Sequence, residues 1–386
     1  MSGDLVDRVR QRLAAGAGPR DLGELVGQES ALLLDSGGRS ELSGRLAAEL
    51  TGAGPLEDLL AGAGVTDVLV NAPDQVWVDR GTGLERAPVR FDSDAAVRRL
   101  ATRLAAQAGR RLDDAAPFAD AVLPDGTRLH AILPPLVAHP TLSLRVLARR
   151  RLTMGDLVGL GAMPAELAEL LAALVQARLT LLISGGTGTG KTTLLAALLA
   201  TVSPVERIIT IEDTAELGVR HPHVVALLAR SANVEGAGAV ELRELVRQAL
   251  RMRADRLVVG EFRGAEIVEL LAALNTGHAG GAATVHANSV TDVMARLVAL
   301  AALGGMPAQA LAAQAASALD VLVHIRRARD GLRRVEQVAL WPADSLACEP
   351  GLAWTRTAGA GPAAGALRSL LEAAEVEVPT LLTGVG

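Results

Sequence analysis

Residues 179–200, LTLLISGGTGTGKTTLLAALLA, constrain this chain more than any other stretch. The apolar run 179–183 is too short for a helix and is bounded by glycine, so it is predicted to be a buried strand. After it come Gly185, Gly186, Thr187, Gly188, Thr189, Gly190, Lys191, Thr192 and Thr193, with the G-x-x-x-x-G-K-T spacing of a phosphate-binding loop. Glycines let the backbone wrap a polyphosphate with successive N–H groups aimed at its oxygens. Lys191 supplies a mobile positive charge, and the Thr192 hydroxyl is of the type that ligates Mg²⁺. Residues 193–200 are good helix formers, which places the phosphates at the positive end of a helix. Strand, loop, lysine, hydroxyl and helix in this order imply a nucleoside triphosphate.

A chain of 386 residues has room for two or three domains with sizeable cores. The most apolar regions, 157–183 and 293–325, are interrupted by Glu166, Glu169, Arg178, Arg296, Pro307 and Gln309, so no membrane-spanning run is expected. The first residues carry neither a basic leader nor an apolar core, and no secretory signal is read there. The single cysteine, Cys348, excludes an internal disulfide and a cysteine-based zinc site. These features fit a cytoplasmic protein. A formal net charge of −5 and an aromatic content of 2% argue against broad nucleic-acid binding and against stacking on single strands.

Along the chain, residues 1–50 carry a helical period, and 51–55 form a glycine–proline break. Residues 65–70 and 76–78 read as a hairpin, 95–108 as a helix, 121–123 and 128–133 as a second hairpin around Pro124-Asp125-Gly126, and 142–147 as a strand. That makes residues 56–148 a small α+β domain. Residues 149–155 are basic and then break, a candidate hinge. From Met163 onward helices alternate with short apolar strands at 207–211, 257–259 and 282–285, the pattern of a parallel doubly wound sheet. Ligands collect at the carboxyl ends of such strands. Four strand ends here carry the phosphate loop, Glu212/Asp213, Glu261 and His286. Residues 321–325 and 335–340 read as a hairpin, and 349–365, rich in Gly, Ala and Pro, as a poorly ordered tail.

Three constellations carry chemistry beside the loop. Glu212, Asp213 and Glu216 follow a strand; alone they read equally well as an acidic helix start, but beside a phosphate loop they read as Mg²⁺ ligands, partly through water. Glu261, at the next strand end, is placed to polarise a water for attack on the γ-phosphate. His286 ends a third strand, where it is placed to sense or position that phosphate. His278 and the remaining histidines, His130, His139, His221, His223 and His324, have no metal-ligand spacing and are expected to be structural.

Taken together, the phosphate loop, IEDTAEL, RMRADRLVVGEFRGAE and NTGHAGGAATVHANS resemble the Walker A, Asp box, Walker B and His box of the type II/type IV secretion ATPases. VTDVLVNAPDQVWVDRGTGLER, RRLDDAAPFADAVLPDGTRLHAILPP and LSLRV are most similar to the N-terminal domain of the Tad (tight adherence) pilus branch, the CpaF/TadA-like proteins. The resemblance implies a RecA-like P-loop motor domain over 156–345, a PAS-like α+β domain before it, and a homo-hexameric ring. It implies ATP and Mg²⁺ as ligands, hydrolysis that powers pilus assembly or secretion, and inner-membrane platform proteins as partners at the cytoplasmic face. By motif, Lys191, Glu212, Glu261 and His286 take the catalytic roles. Arg128 and Arg145 match arginines that reach the phosphates, and Arg230 lies in the arginine-bearing segment after the Asp box. A conjugative or RecA-type nucleic-acid motor is the competing reading. Ala254, Phe262 and Gly281 depart from the usual pattern without removing a charged group.

Overall fold

The computed structural model describes residues 52–81, 83–146, 151–230, 232, 237–277, 279–342 and 350–383. The expectations for residues 1–50, His278, Cys348 and the first part of the hinge fall outside the described residues. The chain divides into two compact units, Met1–Ala148 and Arg149–Gly386.

In the first unit, six antiparallel strands form one sheet: β1 (Asp67–Ala72), β2 (Gln75–Asp79), β3 (Leu84–Arg86), β4 (Phe118–Val122), β5 (Arg128–Ile132) and β6 (Thr141–Arg145), in the order β3-β2-β1-β6-β5-β4. Both expected hairpins form, β1 with β2 and β4 with β5. Their residues alternate, so Val68, Val70, Leu129, Ala131, Leu142 and Leu144 are buried on one face. The amphipathic helix Asp94–Gln107 covers that face through Val97, Leu100, Ala101 and Leu104, and its start is capped by Ser93. The short β3 has all three residues exposed, and no apolar alternation marks it in the sequence.

The second unit opens with the helix Met154–Gly159. Thr153 and Asp156 form a reciprocal capping box around its first turn, so Met154 and Gly155, expected within a hinge, are helical instead. A nine-stranded sheet follows, formed by β7 (Leu181–Ser184), β8 (Ile208–Glu212), β9 (Val224–Leu228), β10 (Arg256–Val259), β11 (Ala282–Val285), β12 (Val321–Arg327), β13 (Arg333–Leu340), β14 (Gly351–Thr355) and β15 (Gly359–Ala360). The order is β15-β14-β13-β12-β7-β11-β10-β8-β9. The six strands from β12 to β9 are parallel, and β13, β14 and β15 extend the sheet in antiparallel fashion.

Helices lie on both faces, which buries the central strands β7, β8, β10 and β11 along their whole length. Leu181 and Ile183 of β7 enter one core with the helices Ala165–Gln176 and Lys191–Leu199, while Leu182 enters the other with Leu242–Ala249, Glu266–Leu274, Asp292–Leu303 and Ala308–Ala318. Among the described residues no single helix is long and apolar enough to cross a membrane. One bent pair, Asp292–Leu303 with Ala308–Ala318, passes on length and composition, and it buries Val293, Leu297, Leu300 and Leu311 in the protein core.

The C-terminal part differs from the disordered tail expected of it. Gly351–Thr355 joins the sheet beside β13, and the helix Ala364–Ala373 docks through Ala364, Leu367 and Leu371, with Trp354 buried beneath. Composition misleads here because glycine, alanine and proline are scored as unable to bury enough surface, whereas one tryptophan and three leucines, the third being Leu382, supply it. Trp354→Ala is therefore expected to destabilise the second unit by about 3–5 kcal/mol. Denaturant unfolding followed by circular dichroism checks this, and an undocked tail would leave the midpoint unmoved.

Candidate active site

The carboxyl ends of four parallel strands, β7, β11, β10 and β8, lie side by side, and the phosphate loop leaves β7. Gly190 ends the loop at φ 95°, ψ 20°, a left-handed conformation that glycine adopts at little cost, and its carbonyl receives the amide of Leu194 as the helix Lys191–Leu199 begins. Gly185 is required by proximity: a Cβ there would lie 2.3 Å from the Ile325 carbonyl and 2.8 Å from Thr189 Oγ1. Thr189 donates its hydroxyl to the Gly186 carbonyl at 2.9 Å and tightens the turn. Thr187 and Gly188 are exposed at the tip, and Thr192 and Thr193 are half-buried in the first helical turn.

Lys191 is only 5% exposed. Its Nζ donates to the carbonyls of Gly185 and Gly186 at 3.1 and 2.9 Å and reaches His286 Nδ1 at 3.3 Å. An ammonium can only donate, so Nδ1 is the acceptor and the ring proton sits on Nε2. That nitrogen stands 2.9 Å from Glu261 Oε1. Burial, joined by the Lys191 charge, holds the His286 imidazole below its usual range against the opposing pull of Glu261, so the ring is neutral at pH 7. Burial raises the Glu261 carboxyl, but the hydrogen bond and charge of Arg263, together with His286 and Lys191, outweigh it and keep the group below the ordinary carboxylate range. The result is a relay of lysine, neutral imidazole and ionised carboxylate across three elements.

Glu212 takes a different place from the one expected. It is 4% exposed, and its Oε1 accepts the amides of Glu216 and Leu217 at 3.0 and 2.8 Å. Burial pushes this carboxyl up. Its Cγ packs so close to Gly260 that a Cβ there would lie 2.9 Å away. Glu212 thus shapes the 212–217 turn, and Asp213 and Glu216 lie in the field of Arg263. Among the described residues no three carboxylate, imidazole or thiol groups converge to hold an ion directly. The physical reason is that one carboxylate is spent on backbone amides and the other two face a guanidinium.

The remaining candidates are each placed within their own unit. Arg128 and Arg145 are direct cross-strand neighbours on β5 and β6 of the first unit, with Arg145 3.9 Å from Asp67. Arg230 donates to the Gly238 carbonyl at 2.7 Å beside an antiparallel bridge to Val240. His324 is buried against Ser184 at 2.9 Å, and His130 and His139 pair with Asp120 and Asp94.

Sequence reasoning missed two arginines. Arg263 donates to Glu261 Oε1 at 2.6 Å, and its only sequence signal was a position two residues past the glutamate. Arg333, on β13, donates to the Gly188 carbonyl at 2.8 Å across 145 residues, a separation no local pattern reveals.

Residues 49–349 match the family of the type II/IV secretion system protein. The chain belongs to that family. A putative conjugal transfer protein of Mycobacterium tuberculosis is 55% identical over 333 residues, 84% of this chain and 95% of that protein. The probable conjugal transfer protein TrbB of Sinorhizobium fredii is 33% identical over 71% of this chain and 82% of its own length. The type IV secretion system protein PtlH of Bordetella pertussis is 33% identical over 73% of this chain and 91% of its own. Among solved structures, the pilus retraction motor PilT with bound ADP aligns at TM-score 0.53 and 21% identity, covering 75% of this chain and 82% of that one. These likenesses establish the α/β fold, with a smaller sheet unit preceding a larger mixed-sheet unit.

The closeness at Gly185 yields a direct expectation. Gly185→Ala forces the loop off the Ile325 carbonyl, at a cost of about 1–3 kcal/mol, and is expected to lower both the melting temperature and the affinity for a fluorescent ATP analogue. Unchanged affinity would show that the loop tolerates the added methyl group.

Proposed function

We propose that this secretion-family chain is an ATP-hydrolysing motor. The observation that carries the reading is the relay of Lys191, His286 and Glu261 at the mouth of the phosphate loop. The loop amides and the helix start receive the phosphates. Lys191 then exchanges its carbonyl partners for phosphate oxygens, and the γ-phosphate competes with His286 Nδ1 for the ammonium. Arg263 and His286 both approach Glu261 at Oε1, leaving Oε2 to accept a proton from the attacking water. Thr192 is the residue suited to hold Mg²⁺, which when bound screens charge on the β- and γ-phosphates.

The reading extends to a homo-hexamer that acts on inner-membrane platform proteins while attached peripherally at their cytoplasmic face. The motifs quoted from the sequence support a Tad-type pilus as the machine served. The conjugal transfer names of relatives favour a second reading, a motor for transfer of nucleic acid. The net charge of −5 speaks for the first.

Chemistry and partner are separable. Lys191→Ala is expected to abolish nucleotide binding or turnover. Glu261→Gln is expected to spare binding and lower kcat by about 10²–10⁴ in a phosphate-release assay. Wild-type turnover by Glu261→Gln would refute the assigned role. Vesicles of anionic lipid are expected to raise the hydrolysis rate, with DNA binding weak and lost at physiological salt. Tight, salt-resistant DNA binding that speeds hydrolysis would establish the second reading instead.

A further inference from the structure

Arg263 belongs to none of the four motifs' assigned charges, yet it touches the group on which the chemistry turns. Its Nε lies 2.6 Å from Glu261 Oε1, while the glutamate side chain is 18% exposed and the arginine 53%. His286 Nε2 approaches the same oxygen at 2.9 Å. Both therefore hold one oxygen of the carboxylate and not the other. Arg263 also bears on Asp213 and Glu216, in the segment that follows β8.

The geometry points to Arg263 as a positioning residue for the hydrolysis proposed above: by gripping Oε1 it fixes the Glu261 carboxylate with Oε2 left to the water and keeps that carboxylate ready to accept a proton. The inference rests on the reading of Glu261 as the base. Its physical ground is a competition. Glu261 is largely withdrawn from water, which favours the protonated acid, and a protonated acid cannot take a proton from water. The charged groups facing Glu261 are Arg263 from its own loop, His286 from the end of β11 and Lys191 from the start of its helix. Arg296, from the helix Asp292–Leu303, acts on His286. Of the groups facing the carboxylate, Arg263 bears most strongly against protonation, because it adds a charge-assisted hydrogen bond to its charge. Neutral His286 adds a donor, and Lys191 acts from a distance through the imidazole.

The sign follows. Removing the guanidinium leaves the burial penalty less opposed, so the Glu261 carboxyl titrates at higher pH. The protonated, inactive fraction then enters the range where hydrolysis can be measured. A lysine at this position restores the charge without the planar fork and is expected to restore part of the effect.

The test uses the full-length protein as wild type, R263Q, R263K and E261Q. Phosphate release is followed from about pH 5 to 9, and affinity for a fluorescent ATP analogue is measured beside it. The wild type is expected to show no acid limb from this carboxylate in that range, because its pKa is held low. R263Q is expected to gain an acid limb, falling on the order of tenfold at its acid end and converging on the wild type as pH rises, with analogue affinity within about twofold. R263K should move the limb part of the way back, and E261Q should be slow and lack the limb. A wild-type profile in R263Q, a uniform loss of rate at all pH values, or the same limb persisting in E261Q each overturns the assignment. A wild type that binds the analogue but releases no phosphate overturns the motor reading itself. That outcome is distinct from an R263Q profile that matches an active wild type.

Discussion

A single ammonium in a place that water scarcely reaches sets the terms for the site. Burying Lys191 is tolerable only if its hydrogens are matched, and the protein matches them with two loop carbonyls and one imidazole nitrogen. That choice propagates. The imidazole must be neutral, with its proton on Nε2, and that proton faces a carboxylate which is therefore best ionised. The loop must bring the carbonyls of Gly185 and Gly186 inward, and it can do so only because no side chain stands between Gly185 and Ile325. Charge state, tautomer and backbone path are thus one linked solution.

Much of this was legible in the sequence because it is local. The phosphate loop, the strand ends bearing Glu261 and His286, and the hairpins of the first unit all rest on spacing and alternation within about a dozen residues. What escaped was long-range or compositional. Glu212 reads as a ligand when only its neighbours are known, whereas its burial and its bonds to the amides of Glu216 and Leu217 appear only once the turn has closed. Arg263 looks like a solvated charge until the pairing of β10 with β11 sets His286 beside Glu261, the carboxylate two residues before it. Arg333 has no local signal, since its partner Gly188 precedes it by most of the second unit. In the C-terminal segment, scarcity of large apolar residues hid the few that matter, Trp354, Leu367 and Leu371.

The sheet explains why the loop is stiff. β7 is the fifth of nine strands, with hydrogen-bonded neighbours on both edges and a core on each face. A strand held on four sides cannot shift to suit a ligand, so adjustment falls to the exposed tip at Thr187 and Gly188 and to the side chains around it.

That central placement has a consequence for the newborn chain. β7 leaves the ribosome early in the second unit, but its two sheet partners come much later: Leu181 pairs with Ala282 on one side and with Val321 on the other. The Ile325 carbonyl that presses on Gly185 emerges later still. Until β11 emerges, Leu181–Ser184 is an apolar strand with no sheet partner, the kind of exposed strand that invites misassociation. A product truncated before Val321 therefore carries the whole phosphate-loop sequence and the β7–β11 pairing but lacks β12 and the Ile325 carbonyl that closes on Gly185.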